Sequence, residues 1–174
     1  MAENNLNKDS NDSDSAASDQ AEEQQFALQK IYVKDVSFET PNSPDIFTKK
    51  WEPEVNIELN TNGKRLTDDL HEVVLGITVT AKMEDKVAYL VEIKQAGIFG
   101  IIGYEQKERE GLLGSFCPGI LFPYAREAVS DLVTRGGFPQ MLLAPVNFDA
   151  IYQEHLKKRG EDGSGKADAP DVVH

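Results

Sequence analysis

CPGILFPYAREAVSDLVTRGGFPQMLLAPVNFDAIY, residues 117–152, is the stretch around which the rest of the chain organises itself. It carries four of the eight prolines, each where a regular element would start or stop. Leu121, Ala125, Ala128, Val129, Leu132 and Val133 recur at helical spacing and make one apolar stripe. Pro118 or Pro123 suits the first helical position, where a missing N–H costs nothing. Gly136 and Gly137 follow the last apolar position and mark a stop. After Pro139 and the LLAP run, Asn147 is placed to cap a second helix that would bury Phe148, Ile151, Tyr152 and Leu156. Two amphipathic helices need a flat apolar surface to lie on, and it has to come from upstream.

Upstream, the chain alternates. In IYVKDVSFET, residues 31–40, Asp35, Ser37 and Glu39 fall on one strand face and Val36 and Phe38 on the other. PNSP at 41–44 ends that strand, and Trp51 leads into a second one, where Val55, Ile57 and Leu59 alternate with polar residues. Asn62-Gly63 reads as a turn. A third strand over 72–83 sets Val73, Leu75, Ile77, Val79, Ala81 and Met83 on one face. EDK at 84–86 then makes a hairpin into a fourth. There Val87, Tyr89, Val91, Ile93 and Gln95 share one side, and Ala88, Leu90, Glu92 and Lys94 the other.

Short loops favour an antiparallel meander, and strands followed by helices mean an α+β fold with both helices on one sheet face. Val74, Ala88 and Leu90 make the opposite face too apolar to be left in water, which argues for a second subunit against it. Glycines at 97, 100, 103, 111 and 114 alternate with apolar residues and suggest a mobile connector.

The net charge of −12 is uneven: residues 1–25 carry seven acids against Lys8. That segment has almost nothing apolar and is expected to be a disordered tail, as is 159–174, leaving 26–158 as the domain. An acidic chain offers no electrostatic footprint for nucleic acid or anionic lipid, so a cationic protein is the natural partner. With a single cysteine, no secretory signal and no long apolar run, the chain is expected to be cytoplasmic, without direct membrane insertion.

Catalytic chemistry finds no support. Gly97, Gly100 and Gly103 lack a following Gly-Lys-Ser/Thr, so they make no phosphate loop. His71 and His155 are too far apart for metal-ligand spacing, and Cys117 has no histidine near it in sequence, so no cofactor and no enzyme activity are expected.

Several stretches closely resemble the SecB family of export chaperones: IYVKDVSFETPNSP (31–44), FTKKWEPEV (47–55), QAGIF (95–99), CPGILFPYARE (117–127) and GGFPQMLLAPVNFDAIY (136–152). The likeness runs colinearly over about 28–156. It implies a four-stranded antiparallel sheet backed by two helices, assembled as a dimer of dimers, a homotetramer. It also implies ATP-independent holding of unfolded precursor proteins and their delivery to the SecA ATPase. The alternative on the same scaffold is a general cytosolic holdase without a SecA-docking role. By the same resemblance, Asp35, Glu39, Leu90 and Glu92 are the SecA-docking residues. Val91, Ile93 and Gln95 match positions tied to client binding and assembly, Val91 standing where relatives often have cysteine. Trp51, Phe99, Phe116, Phe122 and Tyr124 are the aromatic candidates for a client groove.

Overall fold

In the computed structural model, which describes residues 23–164, four strands form one antiparallel sheet: β1 (Gln25–Glu39), β2 (Glu54–Arg65), β3 (Leu70–Met83) and β4 (Lys86–Ile102). The order across the sheet is β1-β4-β3-β2. Only β2, β3 and β4 follow one another as a meander, which corrects the expectation for all four strands. β1 returns beside β4, so the segment 40–53 crosses from one edge of the sheet to the other. A 3-10 turn at Asp45–Thr48 lies within this crossover, and its Ile46 is buried in the main core. The reason is hydrophobic: apart from His71 and Gln95, β3 and β4 are apolar on the helix side, and central positions remove them from water most completely.

The turn expected at Asn62-Gly63 is also corrected. Both residues lie inside β2, opposite Val74 and Val73, and the chain reverses at 66–69. The hairpin at 84–85 is where the alternation placed it, with Glu84 at φ 56°.

Helix α1 (Gln106–Gly111) runs through a π turn at Leu112–Phe116 into α2 (Cys117–Arg135), so the helical chain continues from 106 to 135. The expected mobile connector is therefore regular structure. Gly97 and Gly100 are buried inside β4, and only Gly103 takes a left-handed turn, at φ 73°. At Gly97 a side chain would meet Phe99 at 2.8 Å and Leu121 at 3.0 Å, so the missing Cβ lets α2 settle on the sheet. Gly114 does the same for the next helix, because a Cβ there would overlap the Tyr152 ring. Pro118 sits in the first turn of α2, as its chemistry favours, whereas Pro123 is inside the helix. Pro123 is solvent-exposed, so water can satisfy the Gly119 carbonyl left without an N–H.

Leu121, Ala125, Val129 and Val133 of α2 are buried against β4 and β3, while Phe122 packs edge-on against Phe148 of the last helix. Each large aliphatic side chain so buried contributes about 1.5–3 kcal/mol. Helix α3 (Phe148–Ser164) is capped by Asn147, whose Oδ1 accepts from the Ala150 N–H at 3.0 Å. It continues past 158, where the domain was expected to end. It docks through Phe148 and Tyr152, and a hydrogen bond from Ser115 to Asp149 ties its first turn to the π turn. Ile151 and Leu156, expected to be buried, are exposed. Of the tails expected at 1–25 and 159–174, residues 1–22 and 165–174 lie outside the described residues, whereas Gln25 already belongs to β1 and 159–164 to α3.

Candidate functional site

Pairing in the sheet decides which side chains share a face. Glu39 stands opposite Leu90, Ser37 opposite Glu92 and Asp35 opposite Lys94. On the other side of β4, Leu90 faces Thr80 and Glu92 faces Thr78. Asp35, Glu39, Leu90 and Glu92 therefore come together on the face that no helix covers. Leu90 is half-buried, and the three carboxylates around it are exposed. Two contacts organise them: the Ser37 hydroxyl donates to Glu92 at 3.4 Å, and Lys94 Nζ lies 3.3 Å from Asp35 Oδ2. Lys94 went unassigned in the sequence reading, although its strand parity already placed it on this face.

Farther along the same face the charge changes sign. Lys34 is the extra residue of a β-bulge, and its ammonium donates to both oxygens of Glu72, at 2.8 and 2.9 Å. Tyr32 also donates to Glu72, reaching over the small Ala96 that separates β1 from β3. These bonds hold the Glu72 carboxyl below the usual carboxylate range, the Lys34 bond being the larger cause. The carboxylate that accepts from Tyr32 in turn pushes the phenol up to about 12. Lys30 and Lys64 are exposed around this network.

The helix side carries a groove of mixed lining. About 790 Å³ in volume, it runs between the outer face of α2 and the segment leading into α3, with Phe122, Pro123, Leu142, Pro145, Val146 and Phe148 as its apolar part and Arg126, Glu127, Ser130, Asp131, Thr134 and Gln140 as its polar part. A second hollow of about 610 Å³ continues it past Phe116, Gly119 and Ile120. Leu142 is 61% exposed and Phe116 53%. A separate aromatic cluster joins the crossover to the sheet. Phe138 lies 4.9 Å from Phe47, 5.3 Å from Trp51 and 5.0 Å from Tyr89, ring centre to ring centre. Phe47 and Leu142 were missed in sequence because a lone exposed apolar residue carries no periodic signal.

The candidate client residues do not form one patch. Phe116 and Tyr124 are exposed and Trp51 is half-buried, stacked on Tyr89. Phe122 is buried beneath the groove. Val91, Ile93, Gln95 and Phe99 are shut off from solvent by this chain's own helices. Gln95 spends its amide on the Tyr32 carbonyl at 3.0 Å. Val55, Ile57 and Leu59 belong to the helix side but stay exposed, because α2 lies chiefly over β4 and β3 and the edge strand β2 projects beyond it.

Burial pushes the Cys117 thiol up to about 12, the chemistry of a packed residue and not of a nucleophile. Among the described residues, no group of His, Cys, Asp and Glu is placed to hold a metal ion. No helix there is long and apolar enough to cross a membrane.

An α+β domain with a partly apolar groove on one side of its sheet and a charged, uncovered face on the other offers two separate surfaces to other molecules. The family model "SecB: Preprotein translocase subunit SecB" matches residues 19–159. Among similar proteins, the protein-export protein SecB of Methylococcus capsulatus is 62% identical over 79% of this chain and 89% of its own length. That of Nitrosococcus oceani is 52% identical over 95% of this chain and 98% of its own. A solved SecB-like chaperone of Mycobacterium tuberculosis, bound to a peptide from an antitoxin, shares the fold with a TM-score of 0.55 at 15% identity, over 70% of this chain and 90% of its own. The chain belongs to the SecB family.

Proposed function

We propose that this protein is an ATP-independent chaperone of the cytoplasm that holds unfolded precursor proteins in an export-competent state and delivers them to SecA. The observation that carries this reading is the separation of two surfaces across one sheet. The groove with its exposed apolar residues lies on the helix side, and the cluster of Asp35, Glu39, Leu90 and Glu92 lies on the uncovered side. A precursor can therefore be held while the docking face remains open.

Holding is passive burial of the client's apolar and aromatic segments at Leu142, Phe116, Tyr124 and the Phe47–Trp51 cluster, each contact weak and several together strong. Val91, Ile93, Gln95 and Phe99 act on this surface by seating α2, without touching the client. Docking places a basic segment of SecA on the three carboxylates, with Leu90 as the apolar anchor.

Assembly is proposed as a dimer of dimers. The 15-residue edge strand β1 has one unpaired side, and Leu28, Val33 and Val36 are exposed along it. Such an edge invites a second copy. Light scattering of a reduced, unfolded precursor, with and without this protein and in the absence of nucleotide, tests the holding activity. Suppression that requires ATP would overturn it. A general holdase would keep that suppression and show no affinity for SecA.

A further inference from the structure

We propose that Lys94 sets how tightly the uncovered sheet face takes its basic partner. It is an internal cation that occupies Asp35 and must be displaced before the partner meets the whole acidic cluster. The inference rests on the docking reading above and names a residue which that reading leaves out. Lys94 and Asp35 are register partners on β4 and β1, with Nζ and Oδ2 3.3 Å apart. Their side chains are 59% and 63% exposed, so the pair stands in water and contributes little to the fold. The position opposite Lys94 on β3 is Gly76, and the side chain lying over that glycine is the uncharged Asn60 of β2. With its own side chain 59% exposed, the lysine can swing out into water when a competitor arrives.

Its place in the charge pattern matters as much as its contact. Glu92 precedes it by two residues on the same strand face, about 7 Å along β4. Among the described residues, Lys94 is the cation paired with a carboxylate of the Asp35, Glu39 and Glu92 cluster, while exposed Lys82 lies on the same face two residues along β3 from Thr80, the partner of Leu90. Beyond it the face passes to the Lys34–Glu72 pair and the exposed Lys30 and Lys64. Lys94 thus stands between Glu92 and the Lys34–Glu72 pair, beside Asp35, and its own charge weakens the acidic cluster a cationic partner needs. Opposite charges on two surfaces act mostly on association rate and fade with salt. Removing the internal competitor should therefore speed docking, most clearly at low ionic strength.

The test titrates purified SecA against the full-length chain and the variants Lys94→Met, Lys94→Arg, Asp35→Asn, Lys94→Met/Asp35→Asn and Glu92→Lys. At about 50 mM salt, Lys94→Met should tighten binding about three- to tenfold, mainly through faster association, and the gain should shrink severalfold near 300 mM. Lys94→Arg should keep the original affinity, and in the Asp35→Asn background Lys94→Met should yield less than half its gain. Two results would overturn the inference while docking stands: Lys94→Met without effect although Glu92→Lys still weakens binding, or the same gain with and without Asp35. Glu92→Lys without effect would instead remove the docking reading itself, and this inference with it.

Discussion

Glu39 and Leu90 stand directly across from each other on β1 and β4, on the sheet face left open by the helices. The residues between and beside them, Ser37 and Glu92, are also register partners. A carboxylate pair flanking a half-buried leucine combines a charge that steers with an apolar spot that anchors. The next residue along β4, Val91, is fully buried on the other side. One strand thus carries the proposed docking residues and the core on alternate positions, which makes the two separable by substitution.

Glu92→Lys should weaken SecA binding by about 1–3 kcal/mol, roughly five- to 150-fold, because it turns an attraction into a repulsion at a partly exposed site. Suppression of precursor aggregation should be unchanged. Ile93→Asp should do the opposite of a surface change. Ile93 is 2% exposed beneath α2, so an unpaired carboxylate there should cost several kcal/mol of stability, read as a large fall in the urea midpoint. Loss of SecA binding and holding together in Glu92→Lys would mean that the two faces are not independent.

Leu142→Asp tests the groove. Leu142 is 61% exposed, so its replacement should leave the melting temperature within a degree or two, while holding of an unfolded precursor weakens severalfold. An unchanged light-scattering trace would move the client surface elsewhere.

Gly114→Val should lift α3 off the π turn, because a side chain at 114 occupies the place of the Tyr152 ring. A destabilisation of about 1–3 kcal/mol is expected, with faster hydrogen exchange in α3 than in the sheet. Gly111→Ala is the control. It lies in α1 with nothing within 4 Å of its added Cβ, and should stabilise by about 0.5–1 kcal/mol.

His71 carries a pH signature. It is 4% exposed with an unpartnered Nδ1, and burial, reinforced by Arg109 and Arg65 against a weaker opposing effect of Asp69, holds its pKa below 6.5. The unfolded chain then binds the proton first. The stability this contributes is present above pH 6.5 and is lost as pH falls below it. Urea midpoints measured between about pH 7.5 and 5.5 should decline for the parent and decline less for His71→Leu. The depressed Glu72 acts in a window that opens only below its ordinary value of 4.5, so the first decline below pH 6.5 belongs to His71.

Cys117 should resist thiol reagents in the folded protein, since burial raises its pKa to about 12. Labelling should speed up only in denaturant, in step with global unfolding. Rapid labelling under native conditions would show that the start of α2 opens by itself.

The strand faces were legible from period-2 alternation alone. Asp35, Ser37 and Glu39 share the open face with Leu90 and Glu92, and Val36 and Phe38 share the other with Val91 and Ile93, as the pairing shows. Successive Cβ atoms alternate whatever lies alongside, so this parity is a property of the local chain. The Asn147 cap and the stripe of α2 were legible for the same reason, being set by residues within a turn or two.

What the tertiary structure alone decided is everything that depends on a distant neighbour. That β1 joins β4 and not β2 follows from placing two apolar strands centrally, a choice made by the whole sheet. Glycines that read as a loose connector became close-packing points because Leu121 and Tyr152, far along the chain, fill the space they leave. Ile151 and Leu156 keep an apolar pattern but remain exposed, since α3 rests on only one patch of the domain. The meeting of Lys94 with Asp35 likewise appears only once β1 and β4 are in register. Alternation and capping are written into adjacent residues, whereas burial and ion pairing arise between segments, and no local pattern encodes which segment will be the neighbour.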